Sequence, residues 1–363
     1  MTCAITSLTL SHFRSHKVAR ISCDARPVAI FGPNGAGKTN ILEAVSLLSP
    51  GRGLRRSSAE DMTRRPESLG WKIAALVQTR GQAREIDIWS EAGAARQSKV
   101  DGKPTPQTGL SDILRVLWLI PAMDRLWIEG AEGRRRFLDR MTLSLYPGHA
   151  QLSLDYEKAM RERNRLLKDQ IRDPAWYGAL EKQMATSGTA IQANRRAALT
   201  RICAAQDSAA TTFPAADLTL VHPDTPFPDD LLTAFADGRA RDIAAGRTLV
   251  GPHRVDMEGI FAAKAVPAKD CSTGEQKALL VSLILANARA IADDIAAPPI
   301  LLLDEVAAHL DVDRRAALYD EICALGAQAW MTGTETHLFD AMGDRAQYLH
   351  VTDANGASEV QSQ

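Results

Sequence analysis

The sequence predicts an α/β protein: a mixed sheet around a central helix, with a helical arm inserted into it. Three observations lead there. Residues 32–39, GPNGAGKT, follow the strand-like run PVAIF and precede NILEAVSLL, a strand–loop–helix unit. The apolar run ILLLDE at 300–305 ends on two carboxylates, the pattern of a buried parallel strand that stops at a site. Between about 131 and 210 the chain is rich in Arg, Leu, Glu and Ala. Apolar residues there recur at helical spacing, as in Phe137, Met141 and Leu145.

Taken in order, residues 4–10, 19–23 and 27–31 carry the alternating or β-branched runs of strands. WKIAALVQT, REIDIWS and QSKVDGK, separated by Gly81 and Gly93, read as antiparallel strands of a β-rich subdomain. The helical arm is interrupted by Pro147 and Pro174, too often for a long coiled coil. DLTLVH returns to strand, and ALLVSLILANARAIA has the apolar density of a buried helix. The expected division is 1–125 and 246–363 for the two halves of the head, with 126–245 as the arm.

Composition narrows the class. The 363 residues carry 43 basic and 44 acidic side chains, a net charge of -1, so any nucleic-acid contact must come from a local basic face. Five scattered cysteines show no metal-ligand spacing and read as reduced thiols. No apolar run approaches the roughly 18 residues of a membrane span, and the expected location is cytoplasmic.

GPNGAGKT is a full match to GxxxxGK[ST]. Gly32, Pro33, Asn34, Gly35, Ala36 and Gly37 would turn backbone N–H groups toward the phosphates of ATP, Lys38 would neutralise them, and Thr39 would ligate Mg²⁺. Asp304 is the carboxylate for the metal, and Glu305 can polarise the attacking water. The segment CSTGEQK at 271–277 has two readings. Ser272 and Glu275 have the spacing of a capping box that merely starts a helix. The same helix start, with Ser272 and the flexible Gly274, is also a second phosphate-binding surface.

CSTGEQK resembles the signature of ABC-type ATPases. That resemblance implies an ATP-dependent homodimer in which Ser272 and Gly274 of one copy complete the phosphate loop of the other. HLD at 309–311 resembles the loop that places an aspartate, here Asp311, near the same interface; Asp311 also fits as the N-cap of VDRRAALYDEI. ERNRLLK at 162–168, GPHRVD at 251–256, STGEQKALL at 272–280 and GRRRFLD at 133–139 resemble the RecF family of ABC/SMC-like phosphate-loop ATPase heads. The family resemblance implies a DNA repair and replication protein with a weak, DNA-stimulated ATPase. It implies binding at gapped or single-strand/double-strand junction DNA, and work with RecO and RecR to load recombinase.

Two departures accompany it. No switch histidine of the transporter-ATPase kind is expected after the strand AQAWMTGT, which leaves Thr334, Thr332 or no residue to sense the γ-phosphate. IPAMDRLWIEG at 120–130 differs from the glutamine loop expected there. Arginine clusters at 52–65, 134–136 and 161–168 are the candidate DNA contacts, Arg56, Arg134, Arg135 and Arg163 foremost. The bland reading of each is a solvated face neutralised by Glu132, Asp139 and Glu162. A transporter ATPase subunit or an SMC-like structural head are the competing functions.

Overall fold

The computed structural model describes residues 3–65, 67–91, 94–222, 226–354 and 356–363. The chain forms two compact units, one of Met1–Asp124, Ala205–Ala215 and Cys271–Gln363, the other of Arg125–Ala204 and Ala216–Asp270.

In the first unit, β1 (Ala4–Phe13) and β2 (His16–Ser22) form a hairpin, and β3 (Val28–Phe31) is buried along its whole length and leads into the phosphate loop and α1 (Lys38–Ser46). Then come β4 (Trp71–Thr79), β5 (Gln82–Ser90), β6 (Gln97–Val100), β7 (Lys103–Pro104) and β8 (Val116–Leu119). Six of these strands make an antiparallel sheet in the order β2-β1-β4-β5-β6-β7. Its β4–β5 hairpin turns through Arg80 and Gly81, both at positive φ, as a two-residue loop that matches strand twist requires. Gly93, expected to part the next pair, lies outside the described residues.

The second unit contains α2 (Ala131–Leu145), α3 (His149–Lys168) and most of α4 (Pro174–Asp207), followed by β9 (Ala216–Val221), α5 (Leu231–Ala245), β10 (Asp256–Phe261) and β11 (Val266–Pro267). Pro147 falls between α2 and α3. Pro174 opens α4 after the break at 169–173, so both prolines fall at interruptions of the arm as expected; proline at the first helical position sacrifices no hydrogen bond. The boundary expected at 245/246 falls at Asp270. The cause is long-range pairing: β10 runs antiparallel to β9 along all six of its residues, and Asp256 receives Arg134.

The first unit resumes with α6 (Thr273–Ile295), β12 (Ile300–Leu303), α7 (Val312–Leu325), β13 (Ala329–Gly333), β14 (Gln347–Ala354) and β15 (Ala357–Ser362). A second sheet runs β15-β14-β3-β13-β12-β8, parallel except for β15. α6 is buried continuously from Gln276 to Ala288, so its apolar density all round makes it the central helix. The mixed α/β head is as the sequence predicts.

Candidate nucleotide site

β3 and β12 deliver the two halves of the site from one parallel sheet, with β13 between them. Gly32, Gly35 and Gly37 adopt φ of 146°, 82° and 105°, values that side-chain-bearing residues resist. A Cβ on Gly32 would meet the Val351 carbonyl oxygen at 2.0 Å, whereas around Gly35 nothing lies within 4 Å. The loop is thus pressed against the sheet on one side and open on the other, with Pro33, Asn34 and Gly35 exposed and Ala36 buried. Lys38 is buried and its ammonium donates to the carbonyls of Gly32 at 2.7 Å and Pro33 at 2.9 Å. Burial pushes Lys38 below its ordinary pKa, opposed by the carboxylates of Glu305 and Asp304. An ammonium on neutral carbonyls beside an open glycine cradle fits a polyphosphate, which would supply the missing counter-charge.

The Thr39 hydroxyl donates to Asp304 Oδ1 at 2.9 Å, and the Thr332 hydroxyl donates to the same oxygen at 2.7 Å. Thr332 Oγ1 also accepts the main-chain N–H of Glu305 at 2.9 Å. One buried hydroxyl therefore links the Asp304 carboxylate to the main chain of Glu305. Thr332, not the exposed Thr334, is the threonine that touches the acidic pair. Asp304 is further held by its N–H on the Leu119 carbonyl. Glu305 has φ 54°, a left-handed conformation costing about 1 kcal/mol for a residue of this kind. No group of three His, Cys, Asp or Glu that could hold a metal occurs among the described residues. The hydroxyl and carboxylate of Thr39 and Asp304 are hard oxygen donors of the sort Mg²⁺ takes together with phosphate oxygens.

Around α1 the structure reveals partners that motif reading missed. Glu43 is fully buried and holds Arg14 at 2.7 Å and Arg55 at 3.1 Å. Asn40 donates to Ser15 Oγ at 2.6 Å and accepts from Arg55 at 2.6 Å. Glu43 was visible as a lone carboxylate in the apolar run ILEAV. Nothing in the sequence points to its partners.

The helix α6 starts with the capping box: Ser272 Oγ accepts the Glu275 N–H at 3.4 Å and the Glu275 carboxylate accepts the Ser272 N–H at 2.9 Å. The bland reading of CSTGEQK is therefore present. Ser272 and Gly274 are also exposed, and Gly274 has open space around it, so the cap leaves this helix end accessible. Asp311 caps α7 by accepting the Arg314 N–H at 2.8 Å and is exposed as well. Lys277, one turn into α6, is buried and pairs with Asp124 at 3.2 Å in the 120–130 loop.

Two of the four foremost DNA candidates are overturned. Arg163 is wholly buried: its guanidinium binds Glu181 at 3.0 Å, Asp242 at 2.6 Å and Thr248 at 2.9 Å, and lies over the rings of Phe235 and Tyr177. Arg134 is occupied by Asp256 at 2.7 Å and by the carbonyls of Leu126, Trp127 and Glu129. Spacing on a helix shows that arginines share a face; it does not show whether another element covers that face. Arg135 is half-buried, its pKa pushed down by burial, and Arg56 is exposed.

A glycine cradle on β3, a carboxylate pair on β12 and an accessible capped start of the central helix define an ABC-type ATPase head. The fold agrees with solved structures: TM-score 0.83 to the recombination mediator protein RecF-ATP of the RecFOR pathway, at 22% identity over 99% of this chain and 98% of that one. The Smc head domain from Pyrococcus furiosus gives 0.57 at 18% identity, over 99% and 96%. The chain belongs to the RecF family. Residues 4–358 match the family described as RecF/RecN/SMC N terminal domain. The DNA replication and repair protein RecF of Rhizobium etli is 47% identical, covering 96% of this chain and 97% of its own. That of Rhizobium meliloti is 45% identical over 97% of each.

Proposed function

We propose that the chain is an ATP-dependent DNA-binding protein of recombinational repair and replication restart, which dimerises on ATP to clamp gapped or junction DNA. The observation that carries the ATP half is the shared oxygen Asp304 Oδ1, which receives Thr39 from the phosphate loop and Thr332 from β13. In this reading Lys38 leaves the Gly32 and Pro33 carbonyls for the phosphates. Thr39 and Asp304 would hold Mg²⁺, which would supply charge neutralisation at the phosphates. Glu305, fixed through its own N–H by Thr332, orients the attacking water, and ATP goes slowly to ADP and phosphate.

The dimer half is supported by exposed Ser272, Gly274 and Asp311, which a second copy would use to close the site. DNA contact then falls to Arg56 and Arg135 rather than to Arg134 and Arg163. Family membership supports RecO and RecR as partners and recombinase loading as the outcome. The longest helix among the described residues has 34 residues, which favours this reading over a long structural coil, and none of those helices is long and apolar enough to cross a membrane.

Sedimentation with and without ATP and gapped DNA tests it. Wild type should dimerise with ATP, Glu305→Gln should hold the dimer, and Lys38→Met and Ser272→Arg should remain monomeric and lose ATP-dependent DNA binding. A Ser272→Arg protein that still dimerises with ATP removes the shared-site reading.

A further inference from the structure

The back of the phosphate loop is closed by residues that no motif marks. His16, fully buried at the start of β2, lies with Nε2 3.2 Å from the carbonyl oxygen of Gly37. A carbonyl only accepts, so Nε2 carries the proton. That oxygen also accepts the Asn40 N–H at 3.1 Å, the first bond of α1. Beside it, Ser15 Oγ accepts from Asn40 and from the Ser358 hydroxyl, each at 2.6 Å, while the Ser15 carbonyl accepts the Ser358 N–H at 3.0 Å and Arg64 at 2.6 Å. A Cβ on Gly37 would meet Ser358 Oγ at 2.3 Å and Ser15 Oγ at 2.6 Å. The β1–β2 turn, α1, the loop after it and β15 all converge on one peptide.

Peptide planarity gives this a consequence. In a trans peptide the Gly37 C=O and the Lys38 N–H point in opposite directions. Drawing the carbonyl back toward β2 turns the Lys38 N–H forward, to the side where a phosphate loop cradles its ligand. The Asn40 bond is internal to the loop and helix and moves with them; the His16 bond ties the peptide to the antiparallel sheet. We infer that His16 is a positioning residue for phosphate binding, its Nε2–H fixing the Gly37–Lys38 peptide so that the Lys38 N–H faces the ligand. The inference rests on the ATP reading above.

The test uses the full chain and three variants. His16→Gln places an amide N–H at the reach of Nε2, His16→Asn falls short of it, and His16→Leu has no donor. Affinities for MgATP and MgADP are measured by titration against a fluorescent ATP analogue, at a temperature where thermal melts show all four proteins folded. A misaligned Lys38 N–H loses one hydrogen bond to a charged phosphate, which corresponds to about tenfold or more, so Leu and Asn should weaken both nucleotides about tenfold while Gln stays within about threefold of wild type. Gln falling as far as Leu, or Leu retaining wild-type affinity, overturns the inference. Wild type that fails to bind MgATP, measured first, instead removes the ATP reading itself.

Discussion

The phosphate loop and the arginine network of the helical unit are both dense in polar groups, yet they are built in opposite senses. Around Arg163 every partner is internal: Glu181, Asp242, Thr248, the Phe235 carbonyl and two ring faces enclose one guanidinium. Arg239 adds a second cation to Glu181 at 2.6 Å and stands over Tyr177, so two carboxylates meet two cations and the cluster is complete without a ligand. At the phosphate loop, by contrast, a buried ammonium rests on neutral carbonyls, three positive-φ glycines keep backbone free of side chains, and Glu305 sits in a strained conformation. A charge satisfied within the fold stabilises it; a charge left on weak partners is available to a ligand.

Removing the central charge on each side should sharpen that contrast most. Arg163→Met strands Asp242 in the interior and leaves Glu181 to Arg239 alone, and breaking a buried pair this way costs about 3–5 kcal/mol; denaturant unfolding should show it. Lys38→Met should change stability by less than about 1 kcal/mol while abolishing nucleotide binding. An Arg163→Met protein of wild-type stability would break the comparison.

Next in size is Gly251→Ala in GPHRVD. Gly251 has φ 132°, and a Cβ there would meet Tyr156 Oη at 2.3 Å, so strain and overpacking together should cost about 2 kcal/mol. The whole segment is committed to packing: the Pro252 carbonyl accepts from Arg195 at 2.7 Å, His253 Nδ1 accepts from Tyr156 at 2.8 Å, and Asp256 holds Arg134.

Acid titration separates two further groups of the helical unit. Burial lowers the His253 pKa from 6.5 to about 4. The unfolded chain takes up this proton first, so its contribution is complete above about pH 6.5 and is lost as pH falls to about 4. Asp139 behaves differently. Burial would raise its pKa, but the charge and hydrogen bonds of Arg195 and His149 outweigh that and hold it at about 2, so its contribution is present above about pH 4 and disappears toward pH 2. Stability measured against pH should show both windows, with His253→Gln flattening only the upper one. Smallest of all, Arg56→Ala should leave stability within about 0.5 kcal/mol and weaken DNA binding; unchanged DNA binding would remove Arg56 from the contact surface.

Much of the architecture was legible because it rests on local rules. The strand PVAIF, the glycines after it, the apolar helix of α6 and the run ILLL follow from backbone chemistry and periodicity within short windows. The capping box of Ser272 and Glu275 and the N-cap at Asp311 were legible for the same reason, since a cap needs only residues three apart. The errors arose where partners are remote. The domain boundary moved to Asp270 because β10 pairs with β9. Arg134 and Arg163 looked like surface contacts because their partners, Asp256 and Asp242, lie 122 and 79 residues away.

By itself, then, the sequence determined the site's local geometry: Gly32 to Thr39 as a glycine loop between strand and helix, Asp304 and Glu305 at a strand end, and a capped helix start at Ser272. These are written in consecutive residues because each depends on φ, ψ and short spacings. Tertiary structure decided which charges remain for a ligand and which are consumed by the fold. It placed Thr332 between the Asp304 carboxylate and the Glu305 main chain, set His16 behind Gly37, and enclosed Arg163. Desolvation is the physical reason: a side chain's charge acts outward or inward according to what covers it, and the cover comes from segments far along the chain.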